Sequence, residues 1–286
     1  MIATELDPKF FAHPLEVIEG QLRARDYSYQ TVKAYLGQLK SFLAHIHPRS
    51  PQEATNEDLH EYMDYLIESN KSRSTIDQTV NALRFFWNEG FGRDFPMENI
   101  SRPEKKERQP VFLALEEVRQ IAMAAGNLKH RLMIELAYSA GLRVSEVVNI
   151  LVRDVNLENK NLFVRGTGKK PKGRTTIFSR NLEDAIARQI GIKKPDDYLF
   201  PSERGGRLTT RAFAKYFKAA LEASGIEKHA TPHSLRHSFA ALLLQAGTKV
   251  RTVQNLLGHV RRESTIFYTK LTEPGSVTKP QSLVHF

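Results

Sequence analysis

The chain has 286 residues, 41% of them hydrophobic, which suits about two soluble domains with sizeable cores. No cysteine occurs, so disulfides, thiolate catalysis and Cys-ligated zinc are excluded. No apolar run of about 18 residues occurs and the start, MIATELDPKF, lacks an apolar stretch; neither a membrane span nor a secretory leader is expected, and a cytoplasmic, nucleoid-associated location is the default.

Along the chain, residues 11–25 carry Phe11, Leu15, Ile18 and Leu22 at helical spacing. A second helix is expected over 28–46, capped by Ser28 and striped by Val32, Tyr35, Leu36, Leu39, Phe42 and Leu43. Asn56 is the expected cap of a third helix, whose Glu57, Asp58, Glu61, Asp64 and Glu68 read as a solvated face. Ser74 is the expected cap of a fourth. Four helices with short connections predict a small bundle over residues 1–98. Residues 99–111 contain NISRPEKKERQP, with two prolines and no apolar stripe, and read as a linker.

A second domain is expected over 112–286. It opens with helices over 113–125 and 128–140, followed by GLRVSEVVNI, a glycine and then a new helix. NLFVRG, TGKKPKG and RTTIFS read as a β-hairpin around a basic turn. Helices resume near 182–190, 210–224, 232–246, 249–257 and 264–272. The fold class is therefore mostly α with a small antiparallel sheet, in two domains. Charge divides with them: residues 1–100 carry −5 and residues 101–286 carry +15, which points to a polyanionic partner for the second part.

The stretch HSLRHSF, 233–239, starts a helix with three cationic or near-cationic side chains. Thr231 is a suitable cap and Pro232 suits the first helical position. His233 and Arg236 then share a face at the end of a helix where free N–H groups and the positive dipole end gather. Cations there are unfavourable unless an anion sits among them, so a phosphate is the expected occupant. His233 and His237 have metal-pair spacing, but position 234 is Ser rather than Glu and Arg236 would repel a dication; no metal is expected. In TVQNLLGHV, Gly258 ends a helix and His259 follows it. Tyr268 lies in ESTIFYTKL, on a segment that Ser264 could cap. Arg143 and Glu146, three apart in AGLRVSEVV, can pair. GKKPKGR clusters Lys169, Lys170, Lys172 and Arg174, a basic turn suited to a phosphate backbone. Taken singly, each of these has an ordinary structural reading.

Their order, Arg143, a hairpin lysine, HSLR, GH and Tyr268, in the basic part of the chain resembles the tyrosine recombinase (integrase) family. HSLRHSFA, LLQAG, RTVQNLLGH and the segment ending in YT resemble its Xer subgroup, and length and sequence are most similar to the archaeal XerA type. The resemblance covers nearly the whole chain, the first domain being similar to the family's SAM-like core-binding domain. GKKPKGR fits the family's GKxxKxR pattern with Lys169 as the hairpin lysine and Lys172 as the reserve, although counting from Arg143 places that lysine near Thr167.

The resemblance implies a catalytic set of Arg143, Lys169, His233, Arg236, His259 and Tyr268. It also implies a 3′-phosphotyrosine intermediate, and neither metal, ATP nor any other cofactor. Glu146 would orient Arg143. The two domains would close as a C-shaped clamp on duplex DNA, four protomers acting on two duplexes through the tail GSVTKPQSLVHF. The expected task is resolution of chromosome dimers at a dif-like site, with an unknown regulatory protein as a further partner. Lys170, Lys172, Arg174, Arg211 and Lys215, with Arg207 and Lys218, are candidate DNA contacts. Three rivals stand beside this reading. A non-enzymatic helix–turn–helix protein would use SFAALLLQAGTKVRTVQNLLG with its turn at Gly247. A type IB topoisomerase would relax DNA without site preference. A phage or mobile-element integrase would carry an extra N-terminal arm-binding domain, which is not expected here.

Overall fold

The computed structural model describes residues 13–92, 102–104, 110–166 and 173–258. The chain divides into two compact units, Met1–Arg108 and Gln109–Phe286.

Among the described residues, the first unit has four α-helices: α1 (Pro14–Ala24), α2 (Tyr29–Ile46), α3 (Asn56–Glu68) and α4 (Arg73–Phe86). Their apolar stripes meet in one core around Ile18, Leu22, Leu39, Phe42, Tyr62 and Phe86. Phe42 packs edge-on against both Tyr62 and Trp87, at centroid distances of 5.3 and 5.7 Å. Ser28 caps α2 as expected, accepting the Thr31 N–H. The next two caps lie one and two residues earlier than expected. Thr55, not Asn56, caps α3, and Ser72, not Ser74, caps α4. In both cases a hydroxyl three residues before an N–H is what the first turn requires: Thr55 Oγ1 receives Asp58 N–H and Ser72 Oγ receives Thr75 N–H. Asp58 thus leaves the expected solvated face. It is buried and accepts the Thr55 N–H at 2.8 Å, completing a capping box, while Glu57, Glu61, Asp64 and Glu68 remain exposed.

The second unit is built around two helices with little polar surface. In α6 (Leu128–Ser139), seven successive residues, Leu132 to Tyr138, are buried, which marks a helix surrounded by others. Its buried Glu135 is answered by Arg131 at 2.8 Å. The α10 helix (Pro232–Gln245) lies against it, and α5 (Leu115–Met123), α8 (Glu183–Ile190) and α9 (Thr210–Ala223) complete the layer. Between α6 and the sheet runs the four-residue α7 (Val144–Val147). The sheet has one strand more than expected: β1 (Val155–Asn156) joins β2 (Asn161–Val164) and β3 (Arg174–Ile177) in the antiparallel order β1-β2-β3. Two residues are too few for a periodic signal, so β1 is defined only by its partner, with Val155 opposite Leu162. In the hairpin, Leu162 faces Thr176 and Val164 faces Arg174. Helix α11 (Val250–Leu257) follows α10 through a left-handed Gly247, and the two close a satellite core of Phe239, Leu243, Leu244, Val253 and Leu257.

The hairpin turn with Lys169, Lys170 and Lys172, and everything from His259 on, including Tyr268, the helix expected over 264–272 and the tail, lie outside the described residues.

Candidate active site

Three guanidinium groups converge on one carboxylate, Glu146. Arg143 is the N-cap of α7 and Glu146 its third residue; the Glu146 side chain accepts the Arg143 backbone N–H at 2.8 Å, closing the first turn. The same carboxylate receives Arg143 Nη1 on Oε1 at 2.8 Å. Arg174, the first residue of β3, grips it with both arms, Nη1 to Oε1 at 2.7 Å and Nη2 to Oε2 at 2.8 Å. Arg236, on the first turns of α10, approaches Oε2 with Nη1 at 3.5 Å. One anion against three cations leaves a local charge near +2.

Burial sorts the three arginines. The side chains of Arg236 and Arg174 are 5% and 15% exposed, that of Arg143 39%. Arg143 is therefore the most open of the three to a ligand, while the other two are tied inward.

Backbone carbonyls add further bonds to two of the arginines. Arg236 donates to Gly141 O at 2.8 Å and to Leu257 O at 2.6 Å. Arg174 Nε donates to Leu256 O at 2.6 Å. The last turn of α11 thus presents two carbonyls, each taken by a different arginine, in the place where a helix end favours cations. Gly258 then turns the chain out with φ +64°. Gly141 is where the chain must bend: its φ is +60°, and a Cβ there would lie 2.4 Å from Phe239 Cδ1.

Charge and burial tune the titrating groups. Burial opposes ionisation of Glu146, yet the hydrogen bonds and charge of Arg174, the Arg143 N–H and the charge of Arg236 outweigh it, holding the carboxyl down at about 2. His233 is exposed at the surface but partly desolvated, and with the charges of Arg236 and Arg143 this lowers its pKa. It is therefore neutral near pH 7 and able to accept a proton. His237 is lowered too, by burial first and then by His233 and Arg236. Thr231 occupies the N-cap position of α10 before Pro232, as expected, but its own hydroxyl makes no cap bond; instead Ser234 Oγ accepts the Thr231 N–H at 3.1 Å.

Of the expected site residues, the fold brings Arg143, Glu146 and Arg236 together, with His233 beside them. Glu146 has a wider part than expected, since it binds Arg174 and Arg236 as well as Arg143. Arg174, expected as a DNA contact, has its fork on Glu146 and its Nε on a helix end, and is mostly buried. That inward pairing was illegible because residues 146 and 174 are 28 apart, with no shared periodicity. The cue that existed was Gly173, where a Cβ would lie 2.4 Å from Phe163 Cζ and 2.7 Å from Val164 O, so β3 starts pressed against β2. Arg211 and Lys215 both lie exposed on α9, one turn apart, and Lys218 follows them in an ion pair with Glu222 at 3.6 Å.

Residues 111–274 match the phage integrase family, and residues 15–97 match its N-terminal SAM-like domain. Tyrosine recombinase XerD of Listeria monocytogenes is 31% identical over 268 residues, covering 87% of this chain and 90% of its own. Among solved structures, XerA recombinase superposes with TM-score 0.52 at 26% identity, over 91% of this chain and 93% of its own. A lambda integrase tetramer bound to a Holliday junction shares the fold with TM-score 0.71 at 20% identity, over 89% of this chain and 76% of its own. With its SAM-like helical domain followed by the α+β domain that holds the arginine cluster, the chain belongs to the phage integrase family, the tyrosine recombinases, enzymes that cut and rejoin DNA strands at specific sites.

Proposed function

We propose that this chain is an Xer-type recombinase that resolves chromosome dimers at a dif-like site, with the +2 cluster of Arg143, Arg236, Arg174 and Glu146 as its phosphate-binding centre. The observation that carries the reading is the convergence of Arg143 and Arg236 on the Glu146 carboxylate, with His233 in the first turn of the helix that bears Arg236. A phosphodiester needs charge stabilisation and positioning above all, and guanidinium forks supply both.

In the proposed step the Tyr268 oxygen attacks the scissile phosphorus, forming a P–O bond as the bond to the 5′ oxygen breaks. The tyrosine proton, held with a pKa near 10 in free tyrosine, passes to His233. The 5′ oxygen leaves as a hydroxyl, protonated by Lys169, with Lys172 as the reserve. Arg143 and Arg236 hold the non-bridging oxygens, and His259 donates a further hydrogen bond. The phosphotyrosine keeps the energy of the broken ester, so a 5′ hydroxyl can reverse the step without ATP. Lys170, Lys172, Arg211 and Lys215 would contact the backbone outside the centre, where point charges suffice. Four protomers on two duplexes, linked through the C-terminal tail and subject to a regulatory partner in the cytoplasm, complete the reading.

Covalent capture tests it. The protein is incubated with fragmented host DNA and denatured in SDS, and DNA that stays attached is sequenced. Attachment at one locus, abolished in Tyr268→Phe, is expected. Attachment spread over all sequences would favour a topoisomerase-like activity. Binding without attachment, on a pre-nicked trap substrate as well, would leave a non-enzymatic helix–turn–helix protein.

A further inference from the structure

We infer that Arg174 is a positioning residue of the phosphate centre: it occupies Glu146 so that Arg143 stays available to DNA, and it ties the hairpin to the end of α11. The inference rests on the recombinase reading above.

A carboxylate offers about four acceptor positions. On Glu146, Oε1 serves Arg143 Nη1 and Arg174 Nη1, while Oε2 serves the Arg143 N–H, Arg174 Nη2 and, at longer range, Arg236. Arg174 alone takes both oxygens through its side chain. Arg143 is three residues from Glu146 on one short helix and could form the same fork. A fork to Arg143 would withdraw from the phosphate the arginine that is most exposed to it. Arg174 prevents this by filling the position first.

The second contact joins this to the rest of the site. Arg174 Nε holds the Leu256 carbonyl while Arg236 holds the next one, Leu257. The packing is close: a Cβ on Gly258 would lie 2.9 Å from Arg174 Cδ. One side chain therefore fixes β3, the first turn of α7 and the last turn of α11 relative to one another. Lysine cannot substitute, because its three donors sit on one nitrogen and cannot span both Glu146 oxygens and the Leu256 carbonyl together.

A residue contacting the DNA backbone would behave differently: lysine would serve, and its loss would show in affinity. The test uses the full chain, with Arg174→Lys and Arg174→Gln. Single-turnover formation of the covalent complex is measured at saturating protein on the duplex recovered by capture, with DNA affinity measured in parallel. Both variants are expected to lose at least about 30-fold in rate while affinity changes less than about threefold, since the defect lies in the clamp and not in docking. On a Glu146→Gln background, Arg174→Lys is expected to cost less than about threefold more, because residues acting as a unit are not additive. Should Arg174→Lys fail to melt cooperatively, Glu146→Gln with Arg174→Gln is compared with Glu146→Gln alone, and the same small difference is expected.

A rate near wild type in Arg174→Lys, a loss that appears in affinity, or full additivity with Glu146→Gln would overturn the inference. If the wild-type chain forms no covalent complex, the recombinase reading fails separately. Inorganic phosphate, titrated while the Nε–Hε signals of Arg143 and Arg236 are followed by NMR, then decides the matter. At least about fivefold weaker binding in Arg174→Lys supports the positioning role, and unchanged binding refutes it.

Discussion

Glu146 shows how one side chain can organise three arginines. In the unfolded chain its carboxyl titrates near 4.5, and in the folded protein at about 2. A depressed carboxylate pKa stabilises the fold fully above its unfolded value, and that stabilisation fades as pH falls toward the folded value. The difference corresponds to about 3 kcal/mol between the protonation states. Glu146→Gln should therefore be less stable than wild type by about 3 kcal/mol at neutral pH, because a neutral amide no longer offsets the charge of the buried Arg174 and Arg236. Denaturant titrations repeated at lower pH should show the gap narrowing between about pH 4.5 and 2. A gap that stays constant with pH would assign the loss to shape and not to charge.

At the level of elements, the cluster depends on two bends. Gly141 lets α6 turn into α7 and places its carbonyl under Arg236, with Phe239 and Leu257 packed where a Cβ would go. Gly247 turns α10 into α11 with φ +83° and open space around it. Alanine at either site carries the left-handed penalty of about 1–2 kcal/mol. Only Gly141→Ala adds overpacking, so a total loss of about 2–4 kcal/mol is expected there by equilibrium denaturation. Equal costs at the two glycines would mean that the Phe239 contact yields easily. The same comparison explains why α11 ends where it does: its carbonyls are drawn to Arg174 and Arg236, and Gly258 permits the exit.

For the whole molecule, each unit has a core of its own, and charge follows the division, with −3 over residues 1–108 and +13 over residues 109–286. A polyanion is thus drawn first to the second unit. Assembly on DNA is the remaining level. Truncation after residue 275 removes the apolar Leu283, Val284 and Phe286. It is expected to change cleavage or the pairing of two duplexes, read by covalent-complex yield and by native gels of the DNA complex. Recombination that proceeds unchanged would dismiss a linking role for the tail.

Local sequence determined much of this protein. Helix stripes, the cap at Ser28, the proline at the start of α10 and the glycine ending α11 act through neighbours within a turn, so their signals are short and readable. The motif order also identified the family, because Arg143, HSLR and GH keep their chemistry wherever the chain carries them. Shifted caps at Thr55 and Ser72 show the limit of that reading: two capping side chains compete within two residues, Thr55 with Asn56 and Ser72 with Ser74, and the geometry of the first turn chooses. Strand β1, the burial of Arg236 and the inward turn of Arg174 were decided by tertiary structure alone. Each depends on a partner beyond its own element, Leu162 across a turn for Val155, and Gly141 and Glu146 far along the chain for Arg236 and Arg174. An arginine on a hairpin looks the same in sequence whether it faces DNA or a carboxylate 28 residues away; the packing of β3 against α7 and α11 settles which charge it meets.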